Sequence, residues 1–235
     1  MFAQKLQVGV MAKTGSTFLF LAKNNFDKSC FRYVPSPTVG LGLDVNYYKS
    51  RKINIYTGVN LQLKSYAARL YDFNVSNVEG FVSNRPTFAS LEVPLVLNFE
   101  KKKNNKKENY IDYGCGVILS MNKAMLTTGK QHGPLFTIAD ESDTLNSEFS
   151  SLLDKSPYFS YDLYAGISYV KKVRQYKLFE WGLSFQYAMK KSANMNVNGY
   201  VSTTTERRDY SAIFNPKLSF IALHFTYYPQ SLVIF

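Results

Sequence analysis

Two histidines, His132 and His224, limit what this 235-residue chain can do by imidazole chemistry. His132 stands in a long polar stretch with Asp140 and Ser142 downstream, residue types that together could run a nucleophilic hydrolysis near the rim of a protein. Ser and Asp are abundant in any stretch of that composition, so a solvated histidine is the plainer reading. Five carboxylates, Asp44, Glu92, Asp112, Asp162 and Glu180, fall instead within regularly alternating segments, as do Lys13, Lys64 and His224. Paired carboxylates could do general acid–base work or carry protons, but no catalytic spacing relates these. Metal chemistry has less support still. There are no paired histidines and no cysteine cluster, and DESD at 140–143 lacks the Gly and the closing Glu of a calcium loop. Cys30 and Cys115 are expected as two free thiols. No catalytic, cofactor-binding or metal-ligating set is therefore expected.

The elements that must position these groups are legible in the patterning. Apolar and polar residues alternate with period two in eight long runs, near residues 5–18, 37–48, 51–66, 87–100, 109–122, 158–171, 176–190 and 215–228. No segment keeps a helical period, and no apolar run approaches the length of a membrane helix. The connections alternate in length. Short ones join the runs at 49–52, 100–108 and 171–177, whereas long ones rich in Ser, Asn, Thr, Asp and Gly cover 19–36, 67–86, 123–157 and 191–214. Short turns thus gather at one end and long loops at the other, with both termini at the short-turn end. The pattern predicts one all-β domain over 1–235, an eight-stranded antiparallel up-and-down barrel whose closure removes its sheet edges. The 123–157 loop is long enough to hold structure of its own.

Alternation fits two opposite barrels, one with its apolar face inside and one with that face turned to lipid. Glycine decides between them. Of 13 glycines, nine lie on the polar face of a strand, among them Gly9, Gly40, Gly42, Gly58, Gly116 and Gly166, and none on the apolar face. An eight-stranded barrel has an interior only wide enough for side chains, so the smallest residues belong inside, opposite large ones such as Tyr56 and Tyr164. The apolar face then points outward as Val39, Leu41, Leu43 and Val45, as Leu91, Val93, Leu95 and Leu97, and as Ile221, Leu223 and Phe225. In water that belt would aggregate, and in a bilayer it is required. Tyr47, Phe99, Tyr169, Phe179, Trp181 and Tyr227 fall outward near the short turns, where an interfacial girdle belongs. The fold class is accordingly a transmembrane β-barrel.

That geometry assigns the charged residues. Asp44, Glu92, Asp112, Asp162, Glu180, Lys13, Lys64 and His224 project inward by parity. Charges in so narrow a space must pair, which reads as a structural plug of ion pairs rather than as a proton path. The net charge of +11 is concentrated in the three short turns. Lys49, Arg51, Lys52, Lys101, Lys102, Lys103, Lys106, Lys107, Lys171, Lys172, Arg174 and Lys177 are expected to form a basic rim. A ring of cations at one rim suits anionic lipid headgroups or an acidic protein, or is simply solvated, and it argues against nucleic acid as a partner.

The stretch FASLEVPLVLNF at 88–99 resembles the YLEIPLLLK-type signature of the PorT-like outer-membrane barrels of Bacteroidetes, with Glu92 and Pro94 on the inward face of an otherwise outward-apolar strand. The glycine-rich strands YIDYGCGVIL (110–119) and TVGLGLDVNYY (38–48), together with the length, extend the resemblance over nearly the whole chain. It implies an eight-stranded outer-membrane barrel, exported through a signal peptide, in a family whose members are mostly without an assigned role and sometimes belong to secretion or envelope assemblies. The ending PQSLVIF departs from a plain stop at the last strand. Phe2-Ala3-Gln4 reads equally as the remnant of a cleavage site and as an ordinary start behind an initiator Met.

The expected function is non-enzymatic: an integral outer-membrane protein with short turns in the periplasm and long loops outside, its partners being outer-membrane lipid and envelope proteins, with no cofactor. The alternatives are a barrel-type lipid A-modifying enzyme or hydrolase using His132, and a narrow pore, which the filling of an eight-stranded lumen disfavours.

Overall fold

The computed structural model describes residues 5–21, 31–48, 52–65, 67–72, 78–82, 87–103, 108–125, 128–132, 146–153, 157–173, 176–190, 195–202, 207–214, 216–229 and 233–234. Sixteen strands follow in chain order: β1 Lys5–Leu21, β2 Phe31–Val34, β3 Ser36–Tyr48, β4 Ile53–Ser65, β5 Ala67–Asp72, β6 Val78–Val82, β7 Thr87–Lys102, β8 Asn109–Ala124, β9 Thr128–His132, β10 Asn146–Leu153, β11 Tyr158–Val173, β12 Tyr176–Ala188, β13 Met195–Ser202, β14 Arg207–Phe214, β15 Pro216–Tyr227 and β16 Val233–Ile234.

Eight of them make the barrel. Strands β1, β3, β4, β7, β8, β11, β12 and β15 pair antiparallel in that order, and β15 returns to β1 with Val10 opposite Tyr227 and Leu21 opposite Pro216. These are the eight runs the alternation predicts, with bounds shifted by a few residues. Closure leaves none of the eight with a free edge, which meets the backbone hydrogen-bond demand internally.

The register fixes which way each side chain faces. Leu41 is 66% exposed and Leu223 58%, while Glu92 is fully buried and Lys64 1% exposed. The apolar face is outside on every barrel strand. Phe99, Trp181 and Tyr227 are about half exposed near the short-turn end, and there the outer rings of Tyr169 and Trp181 lie 5.8 Å apart.

Small residues let the sheet curl this tightly. A side chain on Gly9 would begin 2.6 Å from the Tyr228 ring, so that glycine is the space the tyrosine occupies. Gly58 has a φ of 157° and a Cβ there would meet the Leu43 carbonyl oxygen at 2.1 Å. Opposite it on β7 stands Pro94, which has no N–H to give to the ladder, and the recorded pairing of β4 with β7 is interrupted between Thr57↔Leu95 and Asn60↔Glu92.

The structure adds to the sequence reading in two places and departs from it in a third. First, the long connections contain strands of their own. Strands β2, β5 and β6 form a three-stranded sheet, and β9, β10, β13 and β14 a four-stranded one that joins the 123–157 and 191–214 connections. Their sequences, such as NSEFSSLL, lack the sustained apolar alternation that marks the barrel strands.

Second, the chain does not stop at β15. Val233 and Ile234 pair with Gln7 and Leu6 on β1, in a register offset from that of β15. Between the two segments Tyr228 turns inward and is buried.

Third, the pairing of β11 with β12 shifts register between Lys171 and Lys172. Such a bulge places an extra residue in one strand and re-aims its neighbours. Lys177 and Glu180, odd and even, both end up buried as a result.

Candidate functional site

The lumen holds the chemistry. All eight residues assigned to it by parity, Lys13, Asp44, Lys64, Glu92, Asp112, Asp162, Glu180 and His224, are buried, none more than 9% exposed. They are arranged in layers along the barrel.

Toward the long loops lies a cluster around Glu92. Lys64 Nζ is 2.7 Å from Glu92 Oε1 and Lys13 Nζ 3.0 Å from Oε2. Lys64 also stands 4.0 Å from Asp162, whose carboxylate accepts from the Ser120 hydroxyl at 3.5 Å. The Phe220 ring lies beneath both ammonium groups, 4.9 Å from Lys13 and 4.8 Å from Lys64, an electrostatically favourable placement for a desolvated cation.

Toward the short turns lies a second cluster, around Lys177. Its Nζ is 2.7 Å from Asp112 and 2.8 Å from Glu180. The Tyr228 hydroxyl donates to Glu180 and accepts from the Asn46 amide at 2.9 Å. Gln7 clamps the backbone of Lys177, donating to its carbonyl at 2.6 Å and accepting from its N–H at 3.1 Å. Below this, Lys172 pairs with Glu100, which also accepts from Asn54.

Lys172 and Lys177 are therefore not part of a basic rim. Lys172 keeps the inward parity of Asp162 and Ser168 because β11 runs on to Val173, and the bulge turns Lys177 inward. Alternation alone could have found Lys172 once that strand was drawn two residues longer. Nothing in the sequence announces the bulge. Glu100, read as a turn residue, is likewise an interior acid. Of the remaining rim, Lys52, Lys101, Lys102 and Lys103 are exposed and Lys171 is half-buried. Lys49, Arg51, Lys106, Lys107 and Arg174 lie outside the described residues.

Between the clusters sits a cavity of about 30 Å³, bordered by Lys13, Asp44, Tyr56, Glu180, Gln186 and His224 among others. Asp44 accepts from the hydroxyls of Tyr56 at 2.9 Å and Thr226 at 2.8 Å. Among the described residues, buried side chains such as Phe88, Ile118, Phe220 and Tyr228 occupy much of the lumen.

Ser168, His224 and Glu180 superficially form a hydrolytic set, with Ser168 Oγ 3.1 Å from His224 Nε2 and Glu180 Oε1 3.8 Å from the same nitrogen. A relay needs the acid on one ring nitrogen and the nucleophile on the other, and the nucleophile must reach substrate. Here both partners address Nε2 and all three residues are buried, so the trio is a packing contact. His132 falls on β9 opposite Glu148, while Asp140 and Ser142 lie outside the described residues. Among the described residues no three His, Cys, Asp or Glu side chains group to hold a metal. Cys115 is free and outward-facing, and Cys30 lies outside the described residues.

No protein-family model matches this chain, and no curated protein does. Among solved structures it is similar to the outer membrane protein OprG from Pseudomonas aeruginosa, at 9% identity over 97% of this chain and 96% of that one, with a TM-score of 0.49. It is more distantly similar to the transport unit of the autotransporter AIDA-I from Escherichia coli, at 9% identity over 97% of this chain and 91% of that one, with a TM-score of 0.25.

Proposed function

We propose that this barrel is an integral protein of a bacterial outer membrane, serving a structural or interaction role rather than an enzymatic one. One observation carries the reading: a closed eight-stranded barrel wears its leucines, valines and aromatics outside and its carboxylates and lysines inside. A water-soluble barrel of this size inverts that arrangement, because an exposed apolar belt around the whole circumference costs solvation in water and none in hydrocarbon. Outer-membrane lipid is then the partner of the outward face.

The long connections, all four of which supply strands to sheets beyond the barrel wall, are the surface for envelope proteins. Short turns lie on the periplasmic side in this reading and the long loops outside. The FASLEVPLVLNF strand favours the PorT-like barrels as kin, and so a place in a secretion or envelope assembly. A pore is disfavoured by the filled lumen.

Two experiments test this. The mature chain should require detergent for extraction from membranes and should migrate faster on SDS gels before heating than after. A chain that stays monomeric in plain buffer would end the membrane reading. Purification in mild detergent with identification of co-migrating envelope proteins tests the interaction role, and a chain isolated alone under several mild detergents would argue against it.

A further inference from the structure

The outward-facing lysines of the short-turn end gather on one side of the barrel. By parity Lys101 and Lys103 continue the outer face of β7 beyond Phe99, and Lys171 continues that of β11 beyond Tyr169. Strand β8 runs between the two, and the register sets these residues in rows. Lys101 stands opposite Ile111, Ile111 opposite Tyr169, and Tyr169 opposite Trp181. One row further from the apolar belt, the Lys103 N–H donates to the Asn109 carbonyl at 2.9 Å, and Lys171 stands opposite the same asparagine. Neighbouring strands lie about 4.8 Å apart and alternate residues about 7 Å apart along a strand, so the three side chains rise from one patch about 10 Å across. The Lys103 Nζ lies 5.7 Å from the centre of the Tyr169 ring, so its stem follows the aromatic row.

The patch has no acid of its own. Glu100 and Asp112, from the same two strands, face the lumen and are held by Lys172 and Lys177. Glu108 is exposed and has the parity of Asp112, not that of Asn109. Among the described residues no carboxylate forms an ion pair with Lys101, Lys103 or Lys171. The side-chain oxygen of Asn109, between Lys103 and Lys171 in the register, has no donor. Elsewhere at this end the described outer face closes on Tyr47, Ile53, Phe179 and Tyr227, which carry no charge. On the membrane side of the patch, Phe99, Tyr113 and Ile167 form the adjoining row and are each nearly half exposed.

We propose that this patch binds the headgroup of an anionic phospholipid, with Lys101, Lys103 and Lys171 around its phosphate and its acyl chains on the row of Phe99, Tyr113 and Ile167. The site exists only if the outer face is embedded in lipid, as proposed above. Charge selects the headgroup: three cations without a counter-charge attract a net negative one, whereas a zwitterionic headgroup brings a further cation to them. The apolar belt selects the molecule. It runs without a break into the patch, so one ligand meets both surfaces only if it carries hydrocarbon below its phosphate. A hydroxyl on the headgroup can also donate to the Asn109 oxygen.

The test uses the whole chain folded in detergent. Phosphatidylglycerol and phosphatidylcholine with the same acyl chains are added in equal amounts, and the lipid retained is counted by native mass spectrometry. Phosphatidylglycerol should be retained several-fold over phosphatidylcholine at low ionic strength, and the excess should shrink as salt rises. Lys101→Gln, Lys103→Gln and Lys171→Gln together should bring the ratio close to one. Lys123→Gln, Lys190→Gln and Lys217→Gln, which remove the same charge at the long-loop end, should leave it unchanged. Equal retention by the wild type would overturn the site, as would a preference that survives the first triple variant or that both triple variants lose alike. If the first triple variant does not fold, acetylation of the wild type decides. Phosphatidylglycerol and not phosphatidylcholine should slow the reaction at Lys101, Lys103 and Lys171 relative to Lys123, and equal rates overturn the site. Protection by inorganic phosphate as strong as that by phosphatidylglycerol would overturn the lipid in favour of a free anion. Equal lipid retention, with an acidic protein co-purifying with the wild type and lost from the first triple variant, would overturn it in favour of a protein. A chain that needs detergent yet holds both lipids alike loses only the headgroup site, whereas one that dissolves without detergent ends the membrane reading itself.

Discussion

Glu92 takes an ammonium group on each of its two oxygens, Lys64 at 2.7 Å and Lys13 at 3.0 Å, from two strands that both precede it in the chain. One carboxylate thereby ties β7 to β4 and to β1 across the lumen. Neither lysine has water to fall back on, since both are buried.

Replacing Glu92 by Gln should destabilise the barrel by about 3–5 kcal/mol, because two cations are left buried without their counter-charge. Adding Lys13→Met and Lys64→Met to Glu92→Leu, with Asp162→Asn because Lys64 is its counter-charge, should recover most of that loss, since the replaced set has no charge left to desolvate. Urea midpoints of the barrel in detergent give both values. A Glu92→Gln variant as stable as the parent would mean that the three groups do not act as a unit.

Gly9 and Tyr228 share one space. Gly9→Val should cost on the order of 1–3 kcal/mol through overpacking against the ring, and Tyr228→Ala in the same chain should relieve the clash while losing its own contacts. The double-variant cycle should show strong coupling between the two positions. Additive losses would place the tyrosine elsewhere.

Lysine burial separates the rim from the plug. With the folded protein in detergent, a water-soluble amine reagent should modify Lys101, Lys102 and Lys103 quickly and leave Lys172, Lys177 and Lys64 untouched until the barrel is unfolded. Peptide mass mapping reads this directly. Early modification of Lys177 would contradict the inward turn that the β11–β12 bulge produces.

Arginine placed on the outer face should report depth. At Leu41 or Leu223, far from either rim, Leu→Arg should cost roughly 2–4 kcal/mol in lipid vesicles, falling to about 0–1 kcal/mol at Tyr47 or Phe99 near the short turns. The same substitutions in a water-soluble barrel would be close to neutral at every height, so a flat profile would count against a bilayer around this wall.

Much of this was legible in the sequence. Strands such as TVGLGLDVNYY and FASLEVPLVLNF alternate because one face must suit a lumen and the other must not, and parity then placed Glu92, Asp44 and Lys64 inside. The strands β9, β10, β13 and β14 were not legible, because a sheet outside the barrel wall need not keep one apolar face. Lys177 escaped for a different reason: parity counting assumes an unbroken ladder, and one inserted residue reverses every assignment beyond it. The cavity could not be read at all, since its lining comes from residues on several different strands, which no single segment encodes.

The pairing of β1 with β15 carries a kinetic obligation. Residues 10–21 meet residues 216–227, so the seam joins partners about as distant as the chain allows, and such distant pairings are slow to form. Until they meet, two long strands expose unpaired backbone to any neighbour. The half-made sheet is therefore more open to wrong pairing than the finished cylinder.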